Sequence, residues 1–372
     1  MVIGVPKEIK ESEYRVGMVP GGVEVLVGAG HTVLVEAQAG AGTGIEDEEY
    51  KAFGARITSA QEIWDAADMV VKVKEPLADE ICLVRPGQVI FTYFHFAANR
   101  ELALAMIEHR AVCIAYETIQ TDAGYLPLLT PMSEVAGRMA VQEGAKYLER
   151  PMQGRGILLG GVPGVEPARV LIIGGGVVGT NAAKVAAGLG AQVTVMDIDT
   201  SRLRHLDDIM PANVTTLMSS PYNIRRKLPE ADLVIGAALV AGARTPILVT
   251  RDMLRLMKPR SVIVDVAVDQ GGCVETTHPT THRDPVYLEE GILHYGVTNI
   301  PGAVAGTSTY ALTNVTLPYV RQIADLGYKE AARRSPEVRR GLNIVDGAVV
   351  RKEVAAALGL PHSPVEEHIA GP

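Results

Sequence analysis

The chain has 372 residues, 47% of them hydrophobic, and a formal net charge of −8 at pH 7. That length predicts two domains with sizeable cores, and the acidic balance argues against nucleic acid, whose phosphates demand a basic face. Three scattered cysteines, Cys82, Cys113 and Cys273, exclude a disulfide framework or a zinc site and point to a reducing compartment.

The N-terminus opens on a strand pattern, "VIGVP", and carries charge at once, so it does not read as a signal peptide. From there, strand-length runs ("HTVLVEA", "DMVVKVK", "QVIFTYF", "AVCIAYE") alternate with helical patterns such as 99–110. Such alternation predicts βαβ units and parallel sheets with helices on both faces. A long helix is expected over about 131–149, opening at Pro131, followed by a Gly/Pro-rich loop. Further buried strands are expected at "QVTVMD", "ADLVIGAAL", "SVIVDVAVD" and "LHYGVTN". A second long helix follows over about 307–327, bent at Pro318. The most apolar run, 233–243, is too short to cross a membrane and is flanked by Asp232 and Arg244. A cytoplasmic protein with no membrane partner is therefore expected. The fold class is α/β: two doubly wound parallel-sheet domains with a cleft between them, joined by the long helices. Residues 1–127 plus 306–372 would form a discontinuous catalytic domain, with a nucleotide-binding domain, 128–305, inserted.

"VLIIGGGVVGTNAAKVAAGLGAQVTVMD" carries the clearest chemical signal. Gly174, Gly176 and Gly179 form G-x-G-x-x-G between a strand and a helix, and a second strand ends in Asp197, 18 residues after Gly179. The first glycine permits the turn, the second lets backbone approach a pyrophosphate, and the third lets the helix pack close. Asp197 is placed for ribose hydroxyls and repels a 2′-phosphate, which predicts a Rossmann-like domain using NAD and not NADP. Arg202 reads either as lying along the adenosine or as a solvated helix arginine.

Other polar residues interrupt strand ends, where ligands bind in open α/β sheets. Arg15 suits bidentate capture of a carboxylate, although an arginine alone is more often a surface residue. Lys72 and Lys74 alternate with valines at the end of one run. His95 closes an aromatic run, where a satisfied core histidine is the plainer alternative. Asp269 ends a near-continuous apolar run, where an unpaired carboxylate is costly; Asp265, within the same run, reads as structural.

With these residues on the page, "GVPKEIKESEYRV", "VVKVKEP", "LLTPMSEVAGRMA", "GRGILLGGVPGV", "IIGGGVVGTNAAK", "DLVIGAAL" and "VDVAVDQGGCVETTHPTTH" together resemble the alanine dehydrogenase family, in order and over essentially the whole chain. That group includes the NAD-binding subunit of the proton-translocating transhydrogenases. The resemblance implies reversible oxidative deamination of L-alanine to pyruvate, ammonium and NADH by a homohexamer. It assigns Arg15 and Lys74 to the substrate carboxylate and carbonyl, and His95 and Asp269 to catalysis. Met132 would wall the substrate methyl, and Asn299 would line the substrate side. Toward NAD it implies Ser133, backbone of Val177 and Val178, Asp197, and the adenosine-side Arg202 and Ser219. On the nicotinamide side it implies Ala238 and Leu239; Val266, Ala267, Val268 and Asp269; and Thr298, Asn299, Ile300 and Pro301.

The sequence departs from the family at Met18, where a threonine is common. The proline usual before the final threonine–serine stretch is missing from "NIPGAVAGTST", and His278 replaces an arginine of some members. A divalent ion near Glu117 in some members needs a histidine where Leu326 stands, so no metal is expected. The alternative function is a nucleotide-binding subunit that passes hydride to a partner protein without amino-acid chemistry of its own. His95, Lys74 and Arg15 together favour the self-contained enzyme.

Overall fold

The computed structural model describes residues 1–238 and 245–370. Its strands, in chain order, are β1 (Val2–Val5), β2 (Thr32–Glu36), β3 (Arg56–Thr58), β4 (Met69–Val71), β5 (Val89–Thr92), β6 (Val112–Ala115), β7 (Arg169–Ile173), β8 (Gln192–Asp197), β9 (Val214–Met218), β10 (Leu233–Gly236), β11 (Val262–Asp265), β12 (Val286–Glu289), β13 (Ile292–Tyr295), β14 (Leu342–Val345) and β15 (Ala348–Val349). They divide between two compact units, Met1–Met132 with Gly302–Pro372, and Ser133–Pro301.

In the first unit the sheet order is β15-β14-β6-β5-β4-β1-β2-β3. Strands β1 to β6 pair in parallel, and the β14–β15 hairpin adds antiparallel to β6. β4, β5 and β6 are buried at every position. Parallel strands covered by helices on both faces read as continuous apolar runs, which is why the sequence reveals them. The helix Ala60–Ala66 lies so close to β1 that a Cβ on Gly4 would stand 2.5 Å from Ile63 Cγ2. The core gathers Ile63, Trp64, Ile90, Phe94, Phe96, Met106 and Ile344. The closing hairpin turns on Asp346 (φ 50°) and Gly347 (φ 85°), the Asp-Gly signature of a two-residue turn.

The second unit has the order β12-β13-β11-β10-β7-β8-β9, parallel except for the β12 edge. Its core includes Leu171, Ile173, Met196, Val234, Leu254, Ile263 and Cys273.

The expected long helices are present as Thr130–Tyr147 and Ala305–Arg334. The second encloses Pro318, but its backbone leaves helical geometry at Gly327 (φ 73°, ψ 155°), not at the proline. Glycine takes a positive φ at no steric cost, whereas the proline sits inside the continuing helix. No helix among the described residues is long and apolar enough to cross a membrane.

Candidate active site

In the first unit β1 pairs with β4 on one side and β2 on the other, so the strand order reverses there. Ligands collect at such a switch point, beyond the carboxyl ends of the strands. The segment after β1 carries Glu8, Glu13 and Arg15, and the segment after β4 carries Lys72 and Lys74. Arg15 is 2% exposed, which rules out a surface arginine. Glu13 holds it in a fork: Oε1 accepts from Nε at 2.7 Å and Oε2 from Nη2 at 2.6 Å, while Nη1 lies 3.0 Å from Met132 Sδ. Burial opposes the Arg15 charge, but the hydrogen bonds and charge of Glu13 outweigh it and raise its pKa.

The two lysines have different fates. Strand β4 ends at Val71, so neither lies in the ladder. Lys72 is fully buried and donates to Glu8 Oε2 at 3.1 Å and Glu80 Oε1 at 2.7 Å, a closed ion cluster. Glu8 also accepts from the backbone N–H of Val73 at 2.6 Å and of Lys74 at 3.3 Å, which holds the segment presenting Lys74. Burial, then the charges of Arg15 and Lys10, lower the Lys74 pKa. Its amine therefore releases a proton more readily than a solvated lysine does.

His95 lies three residues beyond the end of β5, not at it, and is exposed between the buried Phe94 and Phe96. Its backbone is left-handed (φ 52°, ψ 39°). The imidazole stacks on Tyr93 at a centroid distance of 5.8 Å and 7° between planes. The Tyr93 N–H donates to Val73 O at 3.3 Å, tying the His95 segment to the Lys74 segment. Arg15, Lys74, Met132 and His95 thus belong to one neighbourhood of this unit.

In the second unit β7 lies between β8 and β10, again a switch point. Gly174 has φ 108°, and a Cβ there would stand 2.5 Å from Ala237 O and 2.6 Å from Ala238 N. A Cβ on Gly179 would stand 1.8 Å from Gly174 O, so only glycine lets the helix Val177–Gly188 start this close. Around Gly176 a Cβ would meet nothing within 4 Å, and this N-cap residue makes no side-chain cap. Open space over uncapped helix N–H groups, in the positive end of the helix dipole, fits a pyrophosphate. Val177 and Val178 supply that first turn. Asp197 accepts from Gly175 N at 2.7 Å and Asp199 N at 2.9 Å, which fixes its carboxylate beside the loop. Arg202 donates from Nε to Gly175 O at 2.5 Å and from Nη2 to Thr180 Oγ1 at 2.6 Å, so it is pinned on the glycine loop and is not a freely solvated helix arginine.

Ser133 sits in the first turn of Thr130–Tyr147, half-buried. Four residues on, a Cβ at Gly137 would stand 2.2 Å from Val178 O, which brings that helix against the glycine-loop helix. Ser219 follows β9 and donates its N–H to Asp197 O at 2.8 Å. Ala238 is half-buried beyond β10, and Leu239 lies outside the described residues. Strand β11 ends at Asp265, so Asp269 is four residues past the ladder, exposed, in the 3₁₀ turn Val268–Gln270. The buried Asp265 carboxylate carries that segment, accepting from Ala267 N at 3.1 Å, Cys273 N at 2.9 Å and Val274 N at 3.1 Å. Thr298 and Asn299 are half-buried, Ile300 and Pro301 buried, and Asn299 is left-handed at φ 60°. A separate cavity of about 330 Å³, lined by Arg169, Gln192, Lys227 and Glu230 among others, lies at the opposite ends of β7 and β8, the wrong edge for a dinucleotide.

Sequence reasoning passed over Glu8, Glu13, Tyr93 and Gly137, and weighed Glu117 only as a metal neighbour. Among the described residues no group of three or more His, Cys, Asp or Glu side chains is placed to hold a metal ion.

Two family models match the chain: Alanine dehydrogenase/PNT, N-terminal domain, over residues 4–136, and Alanine dehydrogenase/PNT, C-terminal domain, over 140–352. The chain is 55% identical over 369 residues to a Methanococcus maripaludis protein named alanine dehydrogenase, covering 99% of each. A solved structure titled L-alanine dehydrogenase superposes with a TM-score of 0.94 at 52% identity, covering 96% of this chain and 99% of that one. The transhydrogenase from Sinorhizobium meliloti superposes with a TM-score of 0.81 at 27% identity, covering 95% and 99%.

Proposed function

The chain belongs to the alanine dehydrogenase/PNT family, and from that premise we propose that it is an L-alanine dehydrogenase, catalysing the reversible oxidative deamination of L-alanine to pyruvate and ammonium with NAD. The observation that carries the reading over a hydride-passing subunit is the pairing of two cations at one switch point. Arg15 is forked on Glu13, and Lys74 lies within its field. A small substrate with a carboxylate beside a carbonyl or amine suits such a pair.

NAD, when bound, would supply the acceptor for the hydride lost from the substrate Cα. The glycine loop and helix N-terminus would hold its pyrophosphate, and Asp197 its ribose hydroxyls. Arg15 binds the substrate carboxylate, and Lys74 hydrogen-bonds the oxygen at Cα in pyruvate. Met132, in contact with Arg15, walls the methyl side. Deamination needs a neutral amine, because its lone pair becomes the C=N bond of the imine. His95 then takes a proton from the water that attacks the imine and returns it as ammonium leaves; an imidazole can both accept and donate a proton. Asp269 accepts a hydrogen bond from the amine and orients it. Asn299, Thr298, Ile300 and Pro301, with Val266 to Val268 and Ala238, line the nicotinamide side, while Ser133, Ser219 and Arg202 serve the rest of the dinucleotide.

The homohexamer and the cytoplasmic location belong to the same proposal. Cys82, Cys113 and Cys273 are all free thiols, as a reducing compartment allows. The deciding assay follows NADH absorbance when pyruvate and ammonium are added to the pure protein with no partner protein. Steady NADH loss is expected; a flat trace would return the reading to a hydride-passing subunit. Sedimentation at six times the protomer mass checks the assembly.

A further inference from the structure

We infer that Glu117 is a positioning residue for the reaction, holding His95 through the backbone and not through the imidazole. The inference rests on His95 being the acid–base group. Glu117 lies in the 3₁₀ turn Tyr116–Thr118 beyond β6, the parallel neighbour of β5, so it reaches the His95 segment from the adjacent strand end. Its Oε1 accepts from His95 N at 2.6 Å and from Phe94 N at 3.2 Å, and Oε2 lies 3.3 Å from the same Phe94 N.

The segment needs such an anchor. Phe94 and Phe96 are each 1% exposed and stack on one another at 4.5 Å, so the chain is pinned in the core on either side of an exposed His95. Left-handed backbone, sparsely allowed to a residue with a Cβ, turns the imidazole outward between them. In that turn the N–H groups of residues 94 and 95 point the same way, off the sheet ladder. A carboxylate, acceptor-only and with several lone-pair sites, satisfies both at once. Tyr93, stacked on the ring, is itself tied by its hydroxyl to Leu128 O. One side of the imidazole is therefore packed and its backbone is clamped, which leaves few ways for it to drift.

A clamp and a proton carrier make opposite demands on the side chain. A clamp needs reach and an acceptor oxygen; Glu117→Gln keeps both, and Glu117→Asp loses a methylene of reach. A proton carrier needs a carboxyl; Asp keeps it and Gln does not. We expect Gln to retain kcat within about threefold, while Asp and Ala lower it about 100-fold, the order of the loss when a reacting group shifts by about 1 Å. NADH affinity is expected to be unchanged in all three. In a His95→Ala background, itself slow, all four residues at position 117 should turn over alike, because the clamp then has nothing to hold. Retention by Asp with loss in Gln would overturn the inference and make Glu117 a proton carrier, and losses that add to that of His95→Ala would make it only structural. If His95→Ala alone turned over normally, the acid–base reading of His95 would fall and this inference with it. If His95→Ala were slow but the Glu117 variants normal, only the inference would fall.

Discussion

Gly176→Ala separates ligand binding from folding at the glycine loop. The added Cβ would meet nothing within 4 Å, and the backbone sits at φ −65°, ψ −161°, open to any L-residue. Alanine is a poorer N-cap than glycine, and the change costs the fold about 1 kcal/mol. For a unit the size of Ser133–Pro301 that is a fall in Tm of under about 4 °C. The open space is where the pyrophosphate would approach, and a methyl there pushes it off the helix N–H groups. Each N–H bond to a charged oxygen contributes about 1.5–3 kcal/mol, so weakening even one raises the NADH Kd about 10-fold or more. Gly179→Ala is the contrast, because its Cβ would lie 1.8 Å from Gly174 O. Overpacking of that kind costs about 1–3 kcal/mol or more and lowers Tm together with affinity. Fluorescence titration with NADH and a thermal melt on both variants suffice. Parent-like NADH affinity in Gly176→Ala, or a melt as damaged as that of Gly179→Ala, would refute the assignment of this loop to a pyrophosphate.

Asp197→Ala should admit NADP, since the carboxylate now fixed by Gly175 and Asp199 N–H groups repels a 2′-phosphate; equal use of NAD and NADP by the unaltered protein would contradict this. Asp269→Asn, exposed and outside the strand ladder, should lose most kcat while its melting curve matches the parent; a collapsed melt would make the residue structural. Buried His294, its ring nitrogens engaged by Ile292 O and the Thr276 hydroxyl, has a pKa lowered chiefly by burial. Because the unfolded chain takes up that proton first, at about pH 6.5, stability should fall as pH drops below that value and keep falling until the folded value is passed. Tm measured from pH 8 to pH 5 should therefore slope less in His294→Gln than in the parent; parallel slopes would show that other groups dominate.

What the sequence makes legible here follows burial. Strands covered on both faces announce themselves as apolar runs, and the three glycines of the loop are dictated by contacts of 1.8–2.5 Å or by the empty space over Gly176. The same dependence on burial misplaces Asp269. Ala267 and Val268 stay buried after the ladder has ended at Asp265, and hydropathy cannot tell the two apart. Spacing treats Lys72 and Lys74 alike, and only Glu8 and Glu80, arriving from elsewhere in the chain, decide which one is sealed in the core. The β14–β15 hairpin carries a local signal in Asp346–Gly347, whereas Arg56–Thr58 is too short and polar to show itself. Carboxylates that seize backbone amides off any ladder, as Glu8 and Glu117 do across the chain and Asp265 does in its own loop, leave no periodic trace at all.

The first unit is made of two stretches of chain separated by the whole of the second. On the ribosome, β6 emerges with its outer edge unpaired, because β14, which covers it, is translated about 230 residues later. At about 5–20 residues per second that interval lasts about 11–45 s. Throughout it Val112–Ala115, buried at every position in the finished sheet, is an apolar strand edge open to other nascent chains. The inserted unit is contiguous and can close on itself meanwhile. Expression of this protein should therefore depend on chaperone capacity and translation speed before the β14 codons more than on the stability of the folded product.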